Sequence, residues 1–75
     1  MMSSEERLVY MANQIAREFA RMGDPAAATA DHIAKFWDRR MRARILDQDI
    51  AQLGLSETAA RAFQLLRERR AAKAG

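Results

Sequence analysis

Residues 3–22 read SSEERLVYMANQIAREFARM, and this segment carries the clearest secondary-structure signal in the chain. Its large apolar side chains recur at steps of three and four residues, which is the spacing of one helix face. They are Leu8, Met11, Ile15, Phe19 and Met22. Ser3 followed by Glu6 has the spacing of a capping box and predicts the helix start, while Gly23 is the predicted C-terminal stop. We therefore predict helix one over this segment.

Three further helix starts follow along the chain. Asp24-Pro25 predicts the start of helix two, which extends to about Trp37, because aspartate accepts from free amides and proline needs no partner at that position. Asp38 is the expected cap of helix three, and Ser56 opens helix four. No segment alternates apolar and polar residues convincingly, so no strand is predicted. The predicted fold class is all-α, a small bundle of three to four short helices.

The predicted core is thin, because the chain has 75 residues and sixteen of them are alanine. The side chains expected to converge in the core are Leu8, Met11, Ile15, Phe19, Ile33, Phe36 and Ile45. Helix four adds an apolar stripe of Ala59, Ala62, Phe63 and Leu66. From about Arg67 the sequence becomes basic and rich in alanine. We predict a single domain over residues 1–75, with residues 67–75 as a frayed tail.

Helix three does not follow one regular apolar pattern. Its large apolar residues are Met41, Ile45, Leu46, Ile50 and Leu53, and they precede Gly54. On a helical wheel Arg42 and Asp49 fall among them. Either a continuous helix carries charges within its apolar arc, which is typical of a functional site, or the helix bends or ends near Asp47. The sequence leaves both interpretations open.

The composition argues against an enzyme and against a metal or cofactor site. The chain has no cysteine and one histidine, and a metal site needs three or four ligands. No nucleophile stands beside a base, and no glycine-rich phosphate loop is present. His32 is better explained as a helix-surface residue that contacts Phe36 one turn later.

The charge pattern favours pairing with anionic groups. Thirteen basic residues against ten acidic ones give a net charge of +3, and eleven of the thirteen are arginine, which pairs bidentately with carboxylate or phosphate. No apolar run approaches the roughly 20 residues that span a bilayer. We therefore expect a soluble cytoplasmic protein without a membrane partner.

Residues 35–44, KFWDRRMRAR, combine five basic residues, two aromatics and one acid. Aromatic residues and arginine are enriched at binding hot spots. The predicted partner-binding residues are Phe36, Trp37, Asp38, Arg40, Met41, Arg42 and Arg44. For Trp37 we favour a core position, because Ile33 is the only other large apolar residue of helix two apart from Phe36. An ordinary solvated pair is the simpler interpretation of Arg40 and Arg44.

Two segments resemble a known family. They are residues 8–16, LVYMANQIA, and residues 31–42, DHIAKFWDRRMR. They are similar to the delta subunit of the NAD-dependent, molybdenum-containing formate dehydrogenase, whose members carry a MANQI segment and then a segment with histidine, FW, D and RMR in fixed order. The chain departs from the family at Arg39, where proline is common, and arginine is also tolerated in the first turn of a helix.

The resemblance implies a small non-catalytic subunit that supports assembly, stability or maturation of a larger complex. The partners it implies are the larger subunits of formate dehydrogenase, which carry the molybdopterin guanine dinucleotide, the iron–sulfur clusters, FMN and the NAD site. It implies no cofactor on the delta subunit itself. Docking would use the corner between helices two and three.

Two other interpretations stay open from the sequence alone. The arginine cluster Arg39, Arg40, Arg42 and Arg44 could contact phosphates of a nucleic acid, although the ten dispersed acids weaken a continuous positive face. The second interpretation is that the chain forms a homodimer through the exposed face of helix one.

Overall fold

The structure is a computed structural model that describes residues 2–74, and of Ala74 the backbone alone. It contains four α-helices: α1 (Ser4–Glu18), α2 (Pro25–Phe36), α3 (Arg39–Leu46) and α4 (Glu57–Ala74). A short 3-10 helix (Ile50–Gln52) lies between α3 and α4. Within residues 2–74 there is no strand, so the all-α prediction is confirmed.

The helix starts are those that the sequence predicts. At α1 the Ser3 side chain accepts from the Glu6 amide at 3.1 Å, and the Glu6 carboxylate accepts from the Ser3 amide at 3.2 Å, which completes the capping box. Asp24 and Asp38 accept from the amides three residues later, at 3.2 and 2.8 Å. Ser56 does the same for α4 at 3.2 Å. Each cap satisfies an amide that the helix itself leaves without a partner.

The end of α1 differs from the prediction. The helix stops at Glu18 with Phe19 as its C-cap, so Met22 lies outside it and is 53% exposed. The Met22 amide donates to the Phe19 carbonyl at 2.9 Å, a three-residue spacing that tightens the chain into a turn before Asp24. Gly23 is not the helix stop, and among the described residues only Gly54 has a positive φ.

The irregular pattern after α3 is explained by a break in the helix. α3 ends at Leu46 with Asp47 as its C-cap. The Asp49 side chain then accepts from the Ala51 amide at 3.2 Å and caps the 3-10 helix. Gly54 follows with a φ of 78°, a left-handed conformation that glycine adopts without steric cost. The interpretation that the helix ends near Asp47 is therefore confirmed. The alternative interpretation, a continuous helix that reaches Gly54, is wrong.

The core lies mainly between α2 and α4, which form the most extensive helix pair. Small side chains at this interface let the two backbones approach closely. The buried apolar residues of the pair are Ala30, Ile33, Ala59, Ala62, Phe63 and Leu66, together with Trp37 just after α2. The rings of Trp37 and Phe63 lie 5.8 Å apart. α1 covers this pair with Leu8, Val9, Ala12 and Ala16, and the α3 region adds Ile45, Leu46 and Ile50.

The predicted core is right except at its aromatic end. Leu8, Ile33 and Ile45 are buried, Met11 and Ile15 pack against the core while partly exposed, and Phe19 is half-buried. Phe36 is 65% exposed, so its predicted core position is wrong, whereas Trp37 is only 5% exposed. The reason is helical spacing. Trp37 stands four residues after Ile33 and points in nearly the same direction, whereas the Phe36 side chain points about 100° away from that of Trp37.

The end of α4 also differs from the sequence-based expectation. Residues 67–75 are predicted to fray, but the helix continues to Ala74, and Gly75 lies outside the described residues. Arg67 donates to the carbonyls of Leu46 and Gln48, the latter at 3.0 Å. These bonds satisfy backbone acceptors where α3 ends, and they hold this part of α4 against the α3 region.

Candidate partner-binding surface

The corner between α2 and α3 is formed by two residues with extended backbone. Trp37 ends α2 with φ −87° and ψ 138°, and Asp38 begins α3 with φ −75° and ψ 169°. The Trp37 amide still donates to the Ile33 carbonyl at 2.9 Å, so the turn follows the last helical bond directly. Because the Trp37 ring is inserted into the core and Asp38 caps α3, the direction of α3 is fixed relative to α2.

The seven predicted partner-binding residues separate into three groups in the structure. Phe36, Arg40 and Arg44 are exposed. Met41 and Arg42 are half-buried, and the Arg42 Nε donates to the Asp38 carbonyl at 3.5 Å. Trp37 is buried, and Asp38 is occupied in capping. The residues at the surface of the corner are therefore one aromatic ring and a set of arginines.

Phe36 forms the edge of an open groove between α1 and the α2–α3 corner, with a volume of about 330 Å³. We call it the α1–α2 groove. Its lining residues are Met11, Gln14, Ile15, Glu18, His32, Phe36, Trp37 and Met41. The residues of α1 that line the groove are not among the partner-binding residues that the sequence predicts. The only available signal is that Met11, Gln14, Ile15 and Glu18 share one helix face at steps of three and four residues.

Three aromatic rings line up beside this groove. His32 lies 5.6 Å from Phe19 and 4.6 Å from Phe36, measured between ring centroids. The predicted contact between His32 and Phe36 is thereby confirmed. The Lys35 ammonium lies 5.6 Å from the centre of the Phe36 ring, within cation–π distance. This row places an exposed apolar surface next to positive charge.

The arginines of α3 differ from those of α4 in their partners. The ion pairs within residues 2–74 all use α4: Arg61 with Glu68 at 3.6 Å, Arg69 with Asp31 at 3.0 Å and Arg70 with Asp47 at 3.2 Å. None of the four arginines of α3 has a carboxylate of the described residues within 4.0 Å. α3 contains no acidic residue of its own. The outer face of α3 is therefore positively charged, and none of its arginines is paired with a carboxylate of the described residues.

A second groove, on another side of α1, contains a hydrogen-bonded clamp. Its volume is about 410 Å³, and its lining includes Asn13, Arg17 and Gly54. The Asn13 side chain donates to the Gly54 carbonyl at 3.1 Å and accepts from the Ser56 amide at 2.7 Å. One amide group thus ties the middle of α1 to the turn that starts α4.

The comparison with protein families gives a match over residues 7–63, to the family described as NADH-dependent formate dehydrogenase delta subunit FdsD. The chain belongs to this family. The matched region includes most of α1, all of α2 and α3 and the first part of α4, and so contains every residue that lines the α1–α2 groove. No curated protein and no solved structure matches the chain.

The family assignment gives the two resembling segments a place in the structure. The MANQI segment of this delta-subunit chain supplies Met11, Gln14 and Ile15 to the α1–α2 groove, and Asn13 to the clamp. The segment over residues 31–42 supplies His32, Phe36, Trp37 and Met41. The two segments therefore meet across one groove, which their separation along the chain does not reveal.

The described residues carry no arrangement typical of metal-based chemistry. Within residues 2–74, no three histidine, cysteine, aspartate or glutamate side chains are grouped so that they could hold a metal ion. The helices of that part of the chain also include none that is both long and apolar enough to cross a bilayer. The groove offers mainly apolar side chains, with Gln14, Glu18 and His32 among them, and the Lys35 ammonium lies beside its Phe36 ring. Such a surface is suited to contact with another molecule.

Proposed function

We propose that the chain is a non-catalytic accessory subunit of a cytoplasmic NADH-dependent formate dehydrogenase, and that it docks on a larger subunit through the α2–α3 corner. In this role it supports assembly, stability or maturation of the complex. The proposal combines the family assignment with the exposed surface of the corner, where Phe36, Arg40 and Arg44 face outward.

The observation that carries the proposal is the contrast between neighbouring residues of the corner. A 65% exposed phenylalanine and arginines without a described carboxylate partner stand directly beside a buried tryptophan. Exposed aromatic side chains and unpaired arginines contribute little to the stability of an isolated helix bundle. At an interface they become anchors, because burial of the ring and pairing of the guanidinium groups both stabilise a complex.

The residues present do not fit the redox groups of a formate dehydrogenase. Iron–sulfur clusters are bound by cysteine thiolates, and the chain has no cysteine. Dinucleotides are commonly bound through a glycine-rich phosphate loop, and the chain's three glycines form no such motif. The redox chemistry therefore belongs to the larger subunits in this proposal.

The test is a pull-down of the larger formate dehydrogenase subunits with the tagged chain, combined with thermal melting of each variant. We expect Arg40→Ala with Arg42→Ala to weaken complex formation while the melting temperature changes little. Trp37→Ala should lower both, because removal of a buried aromatic ring costs about 3 to 5 kcal/mol. Failure of the wild-type chain to retain any larger subunit would contradict the proposed role, and normal binding by the arginine variant would contradict the docking corner.

A further inference from the structure

We infer that the α1–α2 groove binds an amphipathic segment of the larger subunit that inserts an apolar side chain into the groove and places carboxylates against the arginines of α3. This inference rests on the proposed function and specifies the chemistry of the partner. It also adds α1 to the docking surface, through Met11, Gln14 and Ile15.

The walls of the groove are suited to an apolar side chain. Met11 and Ile15 from α1 and Met41 from α3 are packed against the core and still partly exposed. Methionine side chains are flexible and polarisable, so they adapt to the shape of an inserted group. Phe36 stands at the edge with most of its ring in solvent. An aliphatic or aromatic side chain placed here would remove apolar surface of both partners from water.

The charges around the groove favour an acidic segment. α3 carries Arg39, Arg40, Arg42 and Arg44, and Lys35 lies over the Phe36 ring. Arg40 and Arg44 are exposed and one helical turn apart, so carboxylates spaced one turn apart on a partner helix would face them. Three arginines of α4 have carboxylate partners among the described residues, whereas the four arginines of α3 have none within 4.0 Å.

Nucleic acid fits this surface less well. A phosphate backbone would use the arginines but would leave Met11, Ile15 and Met41 without apolar contacts. Glu18 lines the same groove and would repel phosphates and partner carboxylates alike, so the acidic groups of a partner segment would have to lie on the α3 side. A second copy of the chain also fits poorly, because a two-fold contact through α3 would bring its arginines against each other. An acidic, amphipathic protein segment matches both the apolar and the basic parts.

The first experiment measures the affinity of the full-length chain for the purified larger subunits. We expect Phe36→Ala, and separately Arg40→Ala with Arg44→Ala, to weaken binding at least about tenfold, as is typical when an interface anchor is truncated. Arg61→Ala with Lys73→Ala is the matched control, because it removes the same charge from exposed positions of α4 and should leave affinity unchanged.

The second experiment tests the sign of the partner's charge with one groove position. Gln14 is exposed, lines the groove and lies outside the core. Gln14→Glu should weaken binding because it adds a carboxylate facing an acidic segment. Gln14→Lys should leave affinity equal or higher. If Gln14→Glu binds the larger subunits more tightly than Gln14→Lys does, the inference that the partner segment is acidic is wrong.

The third experiment locates the segment with overlapping peptides from the larger subunits. We expect the retained peptides to combine a large apolar residue with carboxylates, and their binding to be lost in Phe36→Ala. Binding of a DNA or RNA oligonucleotide that competes with these peptides, with a steep fall of affinity as salt increases, would overturn the inference in favour of nucleic acid. If the larger subunits bind the wild-type chain and all groove variants equally, this inference and the docking corner both fail, while the role as an accessory subunit stands. If they do not bind the wild-type chain, the proposed function fails first.

Discussion

The α2–α4 interface and the α1–α2 groove use similar residue types for opposite purposes. At the interface, Trp37 and Phe63 pack ring against ring in the interior, and alanines bring the helices close together. At the groove, Phe36 and His32 also make ring contact, but at the surface. Residue type alone does not separate these two regions. The direction in which each helix presents its side chains does.

The same contrast applies to arginine. Arg67, Arg69 and Arg70 of α4 all bond to other parts of the described chain, whereas Arg40 and Arg44 of α3 do not. The aromatic and basic residues of the α2–α4 interface and of α4 thus stabilise the fold. Those of the α1–α2 groove and of α3 remain exposed for contact with another molecule. Matched substitutions in the two regions can break or sharpen this comparison.

The largest expected difference is between two phenylalanines. Phe63→Ala should cost about 3 to 5 kcal/mol, because Phe63 is fully buried, and this loss would remove most of the roughly 5 kcal/mol expected for so small a domain. Phe36→Ala removes a mostly exposed ring and should change stability by less than about 0.5 kcal/mol. Urea unfolding followed by circular dichroism measures both. Equal losses would show that Phe36 is part of the core after all.

The next difference is between two alanines. Ala62 is fully buried in α4, so Ala62→Leu should overpack the interior and cost about 1 to 3 kcal/mol. Ala34 is exposed on α2, and Ala34→Leu should be nearly neutral because leucine also favours helices. The thermal midpoints of the two variants give the comparison. A stabilised Ala62→Leu would mean that the interface contains unfilled space.

A smaller difference is expected between two arginines. Arg67→Ala removes two bonds to backbone carbonyls near the end of α3 and should cost about 1.5 kcal/mol. Arg44→Ala should change stability by less than about 0.5 kcal/mol and lower affinity for the larger subunits instead. Chemical denaturation and pull-down of the same two proteins test this. The assignment is wrong if Arg44→Ala is the less stable variant.

The smallest difference concerns two neighbouring amides of α1. Asn13→Ala breaks both bonds of the clamp and should cost about 1 kcal/mol, because each bond is partly accessible to water. Gln14→Ala, in the exposed groove position next to it, should have almost no effect. Calorimetric melting resolves the order.

The helix starts can be predicted from local chemistry, whereas the helix ends and the groove cannot. The sequence predicts Ser3, Asp24 and Asp38 as caps because a cap bonds to an amide only three residues away. Met22 continues the apolar spacing of α1, yet the chain turns before it, since no periodic pattern indicates where tertiary packing stops. The sequence correctly favours Trp37 for the core but also places Phe36 there, because Ile33 is the only other large apolar residue of helix two.

Features that depend on how helices are placed in space were not predictable. The basic residues after Arg67 have the composition of a frayed tail, and only the position of α3 shows that Arg67 has backbone carbonyls to bond. Met11 and Ile15 were recognised as apolar but not as one wall of a groove, because the opposite wall comes from α2 and α3. The proposed partner surface therefore needed the fold before its α1 side could be named.

The hydrogen bond from the Ser56 amide to Asn13 makes this amide a reporter of how often α1 separates from the turn before α4. The Ser56 amide proton is donated to a side chain of α1 and not to its own helix, so it can exchange with deuterated water only when the Asn13 bond opens. Its exchange rate therefore measures how often α1 separates locally from the turn before α4. A partner segment that seats α1 more firmly from the groove side would slow deuterium uptake at Ser56, even though that amide lies at the other groove and touches no part of the partner.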